Sequence, residues 1–151
     1  MISEQPLAAV LLDVGGTLVQ EAAPTAPVDR LVARLLPAVR EDIEWLASRY
    51  RLGAVTNTSV MTETDVRRLL DTVGVGRHLE VVVTSVDVGV AKPDPLPIQV
   101  ALERLGVAAA ASLYVGDRES DRIAATAAGC GYAPIDGTLR ETIARHLAQR
   151  R

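Results

Sequence analysis

The chain has 151 residues, a length that fits one domain with one sizeable core. Hydrophobic residues make up 48% and charged residues 23%, which excludes a disordered segment. A net charge of −3 with no long basic run argues against nucleic acid or an anionic membrane as the partner.

The N-terminal MISEQPL lacks the charged region and long apolar core of a signal peptide. No apolar run approaches transmembrane length, so a cytoplasmic protein is expected. Residues 8–14 (AAVLLDV) carry no helical stripe and stop at Gly15-Gly16, as a buried strand would. Residues 21–27 (EAAPTAP) read as a loop, because their prolines suit neither regular structure. Val28, Leu31, Val32, Leu35 and Leu36 recur at helical spacing up to Pro37, which predicts a helix over 28–36. Val39, Ile43, Leu46 and Tyr50 form a second stripe, with Trp45 beside it as a packing residue.

Residues 52–56 are a second short strand, and Val66, Leu69, Leu70 and Val73 mark a helix ended by Gly74 and Gly76. The β-branched run at 79–84 is a third strand. Ile98, Ala101, Leu102 and Leu105 line a helix that stops at Gly106, and 108–111 is a short loop. A fourth strand at 113–115, a helix at 121–128 and a fifth strand at 132–135 follow. Leu139, Ile143 and Leu147 line a last helix, whose arginines from Arg145 to Arg151 suit a helix C-terminus. Cys130 is the single cysteine, so no intrachain disulfide forms, in keeping with a reducing compartment. Set between two glycines and far from any charge, it reads as a buried, inert thiol.

Apolar strands alternating with amphipathic helices predict an α/β domain. The expected form is a doubly wound three-layer sandwich on a mostly parallel sheet of about five strands. Ligands in such sheets sit at the carboxyl ends of the strands. The residues there are Asp13, the pair Thr56-Asn57, Asp117, and Lys92 from the segment after the third strand. Paired carboxylates suit Mg²⁺, a hard cation that prefers oxygen. A hydroxyl and an ammonium suit a phosphoryl group, and a strand-end aspartate so supported suits attack on phosphorus. Taken singly, Thr56 caps a helix or ends a strand, Lys92 is a solvated loop lysine, and Asp117 and Asp121 charge a helix start. Asp13, before Gly-Gly, has no such simple explanation.

Four stretches appear in a telling order: DVGGTL at 13–18, AVTNTS at 54–59, VAKPDP at 90–95 and VGDRESDRIAATAAG at 115–129. Together they resemble the four motifs of the haloacid dehalogenase (HAD) superfamily, in its subfamily I-like branch, over nearly the whole chain. The resemblance implies a HAD-like Rossmannoid core, Mg²⁺, a phosphorylated substrate and an aspartyl-phosphate intermediate. It implies that Asp13 is the nucleophile and a metal ligand, with the Gly15 main-chain carbonyl as a second ligand. Asp117 would bind the ion directly, and Asp121 would bind it through water or orient the metal's waters. Thr56 and Lys92 would hold the phosphate, helped by the Asn57 backbone.

The chain departs from that pattern twice. Gly15 stands where the family's phosphatases carry the acid that protonates the leaving group and activates water, a service worth about 10²–10⁴ in rate. A substitute from Glu21 or Glu119 is conceivable, but sequence places neither side chain. The second departure is size. Residues 1–151 read as a single core domain, with 19–38 as a reduced cap or linker. An open site of this kind suits a large substrate, a protein-borne phosphate, or a partner subunit acting as lid. A homodimer through an apolar face of residues 28–36 is conceivable, with core packing the favoured use. The phosphohydrolase reading stands against two alternatives: a catalytically weak HAD-fold binding or assembly module, and a non-phosphatase hydrolase such as a dehalogenase. The latter generally works without Mg²⁺, so Asp117 and Asp121 weigh against it.

Overall fold

A computed structural model describes residues 6–21 and 31–150. Five strands, β1 (Ala9–Leu12), β2 (Arg51–Thr56), β3 (Val81–Thr84), β4 (Ser112–Gly116) and β5 (Gly131–Pro134), form one sheet. Its order is β3-β2-β1-β4-β5, and every neighbouring pair is parallel. The helices are α1 (Val39–Ala47), α2 (Glu63–Asp71), the short α3 (Ser85–Val88), α4 (Leu96–Leu105), α5 (Glu119–Ala128) and α6 (Leu139–Gln149). Among the described residues no helix is long and apolar enough to cross a membrane.

Alternation along each strand sends side chains to two cores. Val10, Leu12, Leu52, Ala54 and Val115 pack with Ile43 and Leu46 of α1, Leu70 of α2 and Ile143 of α6. Leu11, Val55, Val83 and Tyr114 pack on the opposite face with Ile98 and Leu102 of α4 and Ala124 of α5. Burial of both faces explains why the strands read as continuous apolar runs. Local signals agree with the helix starts. Thr62 and Asp65 bond reciprocally at the head of α2, and Thr138 and Glu141 do so at α6. Trp45 lies against the core edge between the guanidinium groups of Arg49 and Arg140, 4.3 and 4.1 Å from its ring centre, which is a packing role. Cys130 is buried, and burial pushes its thiol up.

The helix expected over 28–36 is not found in its described part, residues 31–36, while Val28 lies outside the described residues. There the chain is extended and lies beside the loop that follows β1. The Gln20 N–H donates to Arg34 O at 2.9 Å, the Leu36 N–H donates to Leu18 O at 2.9 Å, and Val19 and Leu35 form an antiparallel bridge. Val32, which a helical stripe would turn inward, is 76% exposed. Pro37 supplies a local reason, because a residue before proline is pushed out of the helical region. The segment gains more by pairing its backbone with the 18–20 loop than by forming one isolated turn. The loop expected at 108–111 contains a single 3₁₀ turn, Ala109–Ala111.

The sheet order reverses beside β1. The chain moves from β1 to β2 to β3 on one side, then crosses back to β4 and β5 on the other. The crevice above the carboxyl ends of β1 and β4 is therefore a topological switch point, where α/β sheets bind ligands.

Candidate active site

Asp13 directly follows β1, and its N–H continues the ladder by donating to Val115 O at 3.0 Å. Thr56 ends β2, Asp117 follows β4, and Lys92 lies between α3 and α4. Residues far apart in sequence thus meet at one sheet edge, where carboxylate oxygens of Asp13, Asp117 and Asp121 lie within 4.8 Å of one another.

Lys92 is the centre of the arrangement. Its side chain is 2% exposed, and its ammonium lies within hydrogen-bonding distance of Asp13 Oδ1 at 3.2 Å, Asp121 Oδ1 at 2.7 Å, Val55 O at 2.8 Å and the Tyr114 hydroxyl at 2.5 Å. Tyr114 in turn donates to Val55 O at 2.9 Å. An ammonium has three protons and the phenol one, so the pair serves four acceptors with nothing left over. Burial pushes the Tyr114 phenol well above its ordinary value, aided by the Asp13 and Asp121 charges, and this keeps it a proton donor.

The loop that carries Lys92 is held by Asn57. The Asn57 side-chain amide donates to Lys92 O at 2.9 Å, and its oxygen accepts the Lys92 N–H at 2.9 Å. The Lys92–Pro93 peptide bond is cis. Thr56 Oγ1 makes a 3.5 Å contact with Asn57 O, too long to restrain the hydroxyl much, so it can turn toward a ligand.

Asp121 is 1% exposed, and both of its oxygens are engaged. Oδ1 accepts from Lys92 and lies 3.2 Å from the Tyr114 hydroxyl, while Oδ2 accepts the N–H groups of Asp117 at 3.2 Å and Arg118 at 3.1 Å. Close backbone approach here depends on glycine. A Cβ on Gly116 would lie 2.4 Å from Asp121 Oδ2, and one on Gly16, at φ +80°, would lie 2.2 Å from Asp117 Oδ2. Asp117 itself is exposed at the mouth of the site.

The Asp13 carboxyl is pushed up to about 7. Burial is the main cause and the Asp121 charge adds to it, while Lys92 and the Val14 N–H work against it. The site therefore holds more negative charge than its one buried ammonium balances, and an added cation would relieve it. The donor set, three carboxylates within 4.8 Å of one another, fits a hard divalent cation such as Mg²⁺.

These residues line a cavity of about 90 Å³ formed by Asp13, Gly15, Glu21, Thr56, Asn57, Lys92, Arg118, Ser120 and Asp121. It opens beside a larger groove of about 350 Å³ whose apolar wall includes Val19, Leu31, Val60, Met61 and Leu69. Gly15, Glu21, Thr56, Asn57 and Arg118 line both. Sequence reasoning missed Arg118, Ser120 and Tyr114. The first two fall inside the GDRESD stretch, and the polar tip of Tyr114 in an otherwise aliphatic strand was the available signal. Glu119, offered as a substitute acid, is instead paired with Arg122 on the exposed side of α5.

The sequence model of the haloacid dehalogenase-like hydrolases matches residues 28–135. A phosphoglycolate phosphatase of Yersinia pseudotuberculosis is 35% identical over 99 residues, covering 65% of this chain and 41% of that protein. A phosphoglycolate phosphatase of Escherichia coli K12 is 36% identical over 97 residues, covering 64% of this chain and 37% of that protein. The chain thus spans about two fifths of the length of these curated relatives. Among solved structures, a HAD-superfamily hydrolase of subfamily IA from Geobacter sulfurreducens has a TM-score of 0.74 at 20% identity, covering 92% of this chain and 99% of that one. A 2-haloacid dehalogenase from Pseudomonas syringae pv. Tomato also has a TM-score of 0.74, at 21% identity, covering 93% of this chain and 99% of that one. At these identities the structural likeness is one of fold.

Proposed function

The chain belongs to the haloacid dehalogenase-like hydrolases, and from that premise we propose that it is a Mg²⁺-dependent phosphohydrolase acting through an aspartyl-phosphate on Asp13. The observation that carries this reading is the pairing at the carboxyl end of β1. A buried carboxylate faces an ammonium at 3.2 Å, with two further carboxylates within 4.8 Å. Such a site is costly to maintain unless an anionic ligand and a cation complete it.

In this reading Asp13, the Gly15 carbonyl and Asp117 hold the metal ion. Asp121, with both oxygens already engaged, acts through water and by orienting Lys92. Bound there, Mg²⁺ would neutralise part of the phosphate charge and so lower the barrier to an anionic nucleophile. Asp13 attacks phosphorus, the bond to the leaving oxygen breaks, and the phosphoryl group is left on the carboxylate. Thr56, Lys92 and the Asn57 backbone hold the phosphoryl oxygens through these changes. The relatives named phosphoglycolate phosphatases support a phosphorylated substrate.

We read residues 1–151 as one core domain, with 19–38 as a reduced cap or linker. The alcohol, or the protein segment, that bears the phosphate lies along the apolar groove beside the cavity. A second copy or another subunit could complete the lid there. A cytoplasmic setting fits the single, buried thiol. Gly15 gives one specific reason for a second reading, a binding module that has lost efficient turnover, because glycine carries no proton.

Rapid-quench kinetics with p-nitrophenyl phosphate and Mg²⁺ separate the two. The enzyme reading expects a burst of nitrophenol equal to the active sites, abolished by Asp13→Asn and by chelation of the metal. Absence of burst and turnover with every phosphate donor tried would leave only the binding module.

A further inference from the structure

Gly15 removes a carboxylate from the site, and the fold returns one from elsewhere. After Gly15 the chain turns over Gly16, Thr17 and Leu18 and doubles back. The Gly16 N–H donates to Val19 O at 2.8 Å, and Gly15 and Val19 form a bridge. The Gln20 N–H pins the returning strand to Arg34 O at 2.9 Å. This brings Glu21, six positions on in sequence, back over Gly15. A Cβ built on Gly15 would lie 3.4 Å from Glu21 Cγ and 4.0 Å from Glu21 Oε1. The Glu21 side chain thus lies in van der Waals reach of the space that a side chain at position 15 would use, and it lines the same cavity as Asp13, Thr56 and Lys92.

A solvent-exposed ion pair reaches it from across the cavity mouth. The Arg118 guanidinium, at the head of α5 beside Asp117, forms an ion pair with Glu21 Oε1. That contact raises Arg118 above its ordinary value, so its charge is constant. The other candidate, Glu119, has its carboxylate turned to Arg122 and lines neither the cavity nor the groove.

We propose that Glu21 is the general base of the second half-reaction, taking over the proton transfer that position 15 cannot perform, with Arg118 as its positioning residue. The proposal rests on the aspartyl-phosphate reading of Asp13. Water attacks the phosphorus of the aspartyl-phosphate and gives its proton to the Glu21 carboxylate. The bond between phosphorus and the Asp13 oxygen breaks, its electron pair returns to the Asp13 carboxylate, and inorganic phosphate leaves. Glu21 then passes its proton to solvent. Nothing is oxidised or reduced, and no further reactant is needed.

The test uses the full chain, Mg²⁺ and p-nitrophenyl phosphate, whose leaving group departs without a proton, so that only the second half-reaction needs a base. Wild type, Asp13→Asn, Glu21→Gln, and Glu21→Gln combined with Gly15→Asp are followed by rapid quench. Glutamine keeps an oxygen for Arg118 but cannot accept the proton. In Glu21→Gln the burst rate should stay within about twofold of wild type, while breakdown of the phospho-enzyme slows by about 10²-fold or more. Gly15→Asp in that background should restore at least a tenth of the lost rate, a rescue that a merely structural role for Glu21 would not give. A breakdown rate in Glu21→Gln within about threefold of wild type, with the Asp13-dependent burst intact, overturns this proposal alone. Equal slowing of burst and breakdown also overturns it. A wild-type protein with neither an Asp13-dependent burst nor Asp13-dependent turnover overturns it together with the reading beneath it.

Discussion

Removing the ammonium of Lys92 is the sharpest test of how the site is held together. Lys92→Met keeps most of the side-chain volume and deletes the charge. In the native site this one cation lies 3.2 Å from Asp13 and 2.7 Å from Asp121, whose side chains are only 8% and 1% exposed. Breaking a buried pair by removing one partner costs about 3–5 kcal/mol, because the remaining charge stays desolvated. Here two carboxylates lose their partner, and Tyr114 loses a donor as well. A loss of about 4 kcal/mol is expected at pH 8 without Mg²⁺, or roughly 10 °C in Tm for a chain of this size. The sign of the pH dependence is also fixed. Asp13 already has a raised folded value, near 7 against 3.8, and loss of Lys92 removes an influence that lowers it. The folded variant then holds a proton that the unfolded chain releases, so its deficit is largest above the folded value. The deficit shrinks as pH falls through that value, and its Asp13 part is gone below about 7, where both folded proteins carry the proton. Urea unfolding of both proteins at pH 8 and pH 5, in chelator, measures this. A deficit below about 1 kcal/mol, or one equal at both pH values, would refute the account of Lys92 as the neutralising centre.

Asp13→Asn should behave in the opposite way. It removes a buried charge and leaves the Lys92–Asp121 pair whole, so unfolding at pH 8 should show stability equal to or above wild type while the burst is lost. Tyr114→Phe deletes the acceptor of one lysine proton and the donor to Val55 O, and should cost about 1–3 kcal/mol in urea unfolding. Gly16→Ala places a methyl group against Asp117 and forces alanine to a positive φ. It should lose about 1–2 kcal/mol of stability, and calorimetry should show Mg²⁺ binding weakened about tenfold or more. Gly15→Asp fits with a small shift of Glu21, and should raise steady-state turnover of alkyl phosphates about tenfold or more in a coupled phosphate-release assay.

The alternation of strands and helices was plain in the sequence because both faces of the sheet are buried. Val10 and Leu12 serve one core while Leu11 serves the other, so the run shows no polar gap until Asp13. The same burial made Asp13 conspicuous, since a carboxylate ending such a run needs partners. Residues 31–36 were misread for a physical reason. Their spacing is helical, but spacing is silent about a backbone partner, and the 18–20 loop supplies one. Glu21 was visible as a carboxylate in a proline-rich stretch. Its position over Gly15 depends on a reversal of the chain and on Arg118 from 97 residues away, which no local pattern encodes. Tyr114 looked like any strand residue. Its hydroxyl matters only because parallel pairing of β1 with β2 and β4 brings Val55 O and Lys92 beneath it.

The two bonds between Asn57 and Lys92 carry a last implication. A side-chain amide that gives one hydrogen bond to a residue's carbonyl and takes one from its N–H imitates a neighbouring strand, so Asn57 supplies a single rung of ladder where no strand runs. An isosteric aspartate cannot imitate it, because it would turn an acceptor toward Lys92 O. The position thus discriminates between two side chains of equal shape. It separates two kinds of failure as well, since the sheet itself does not pass through this rung. Loss of the rung would leave a folded protein whose buried lysine has lost its address.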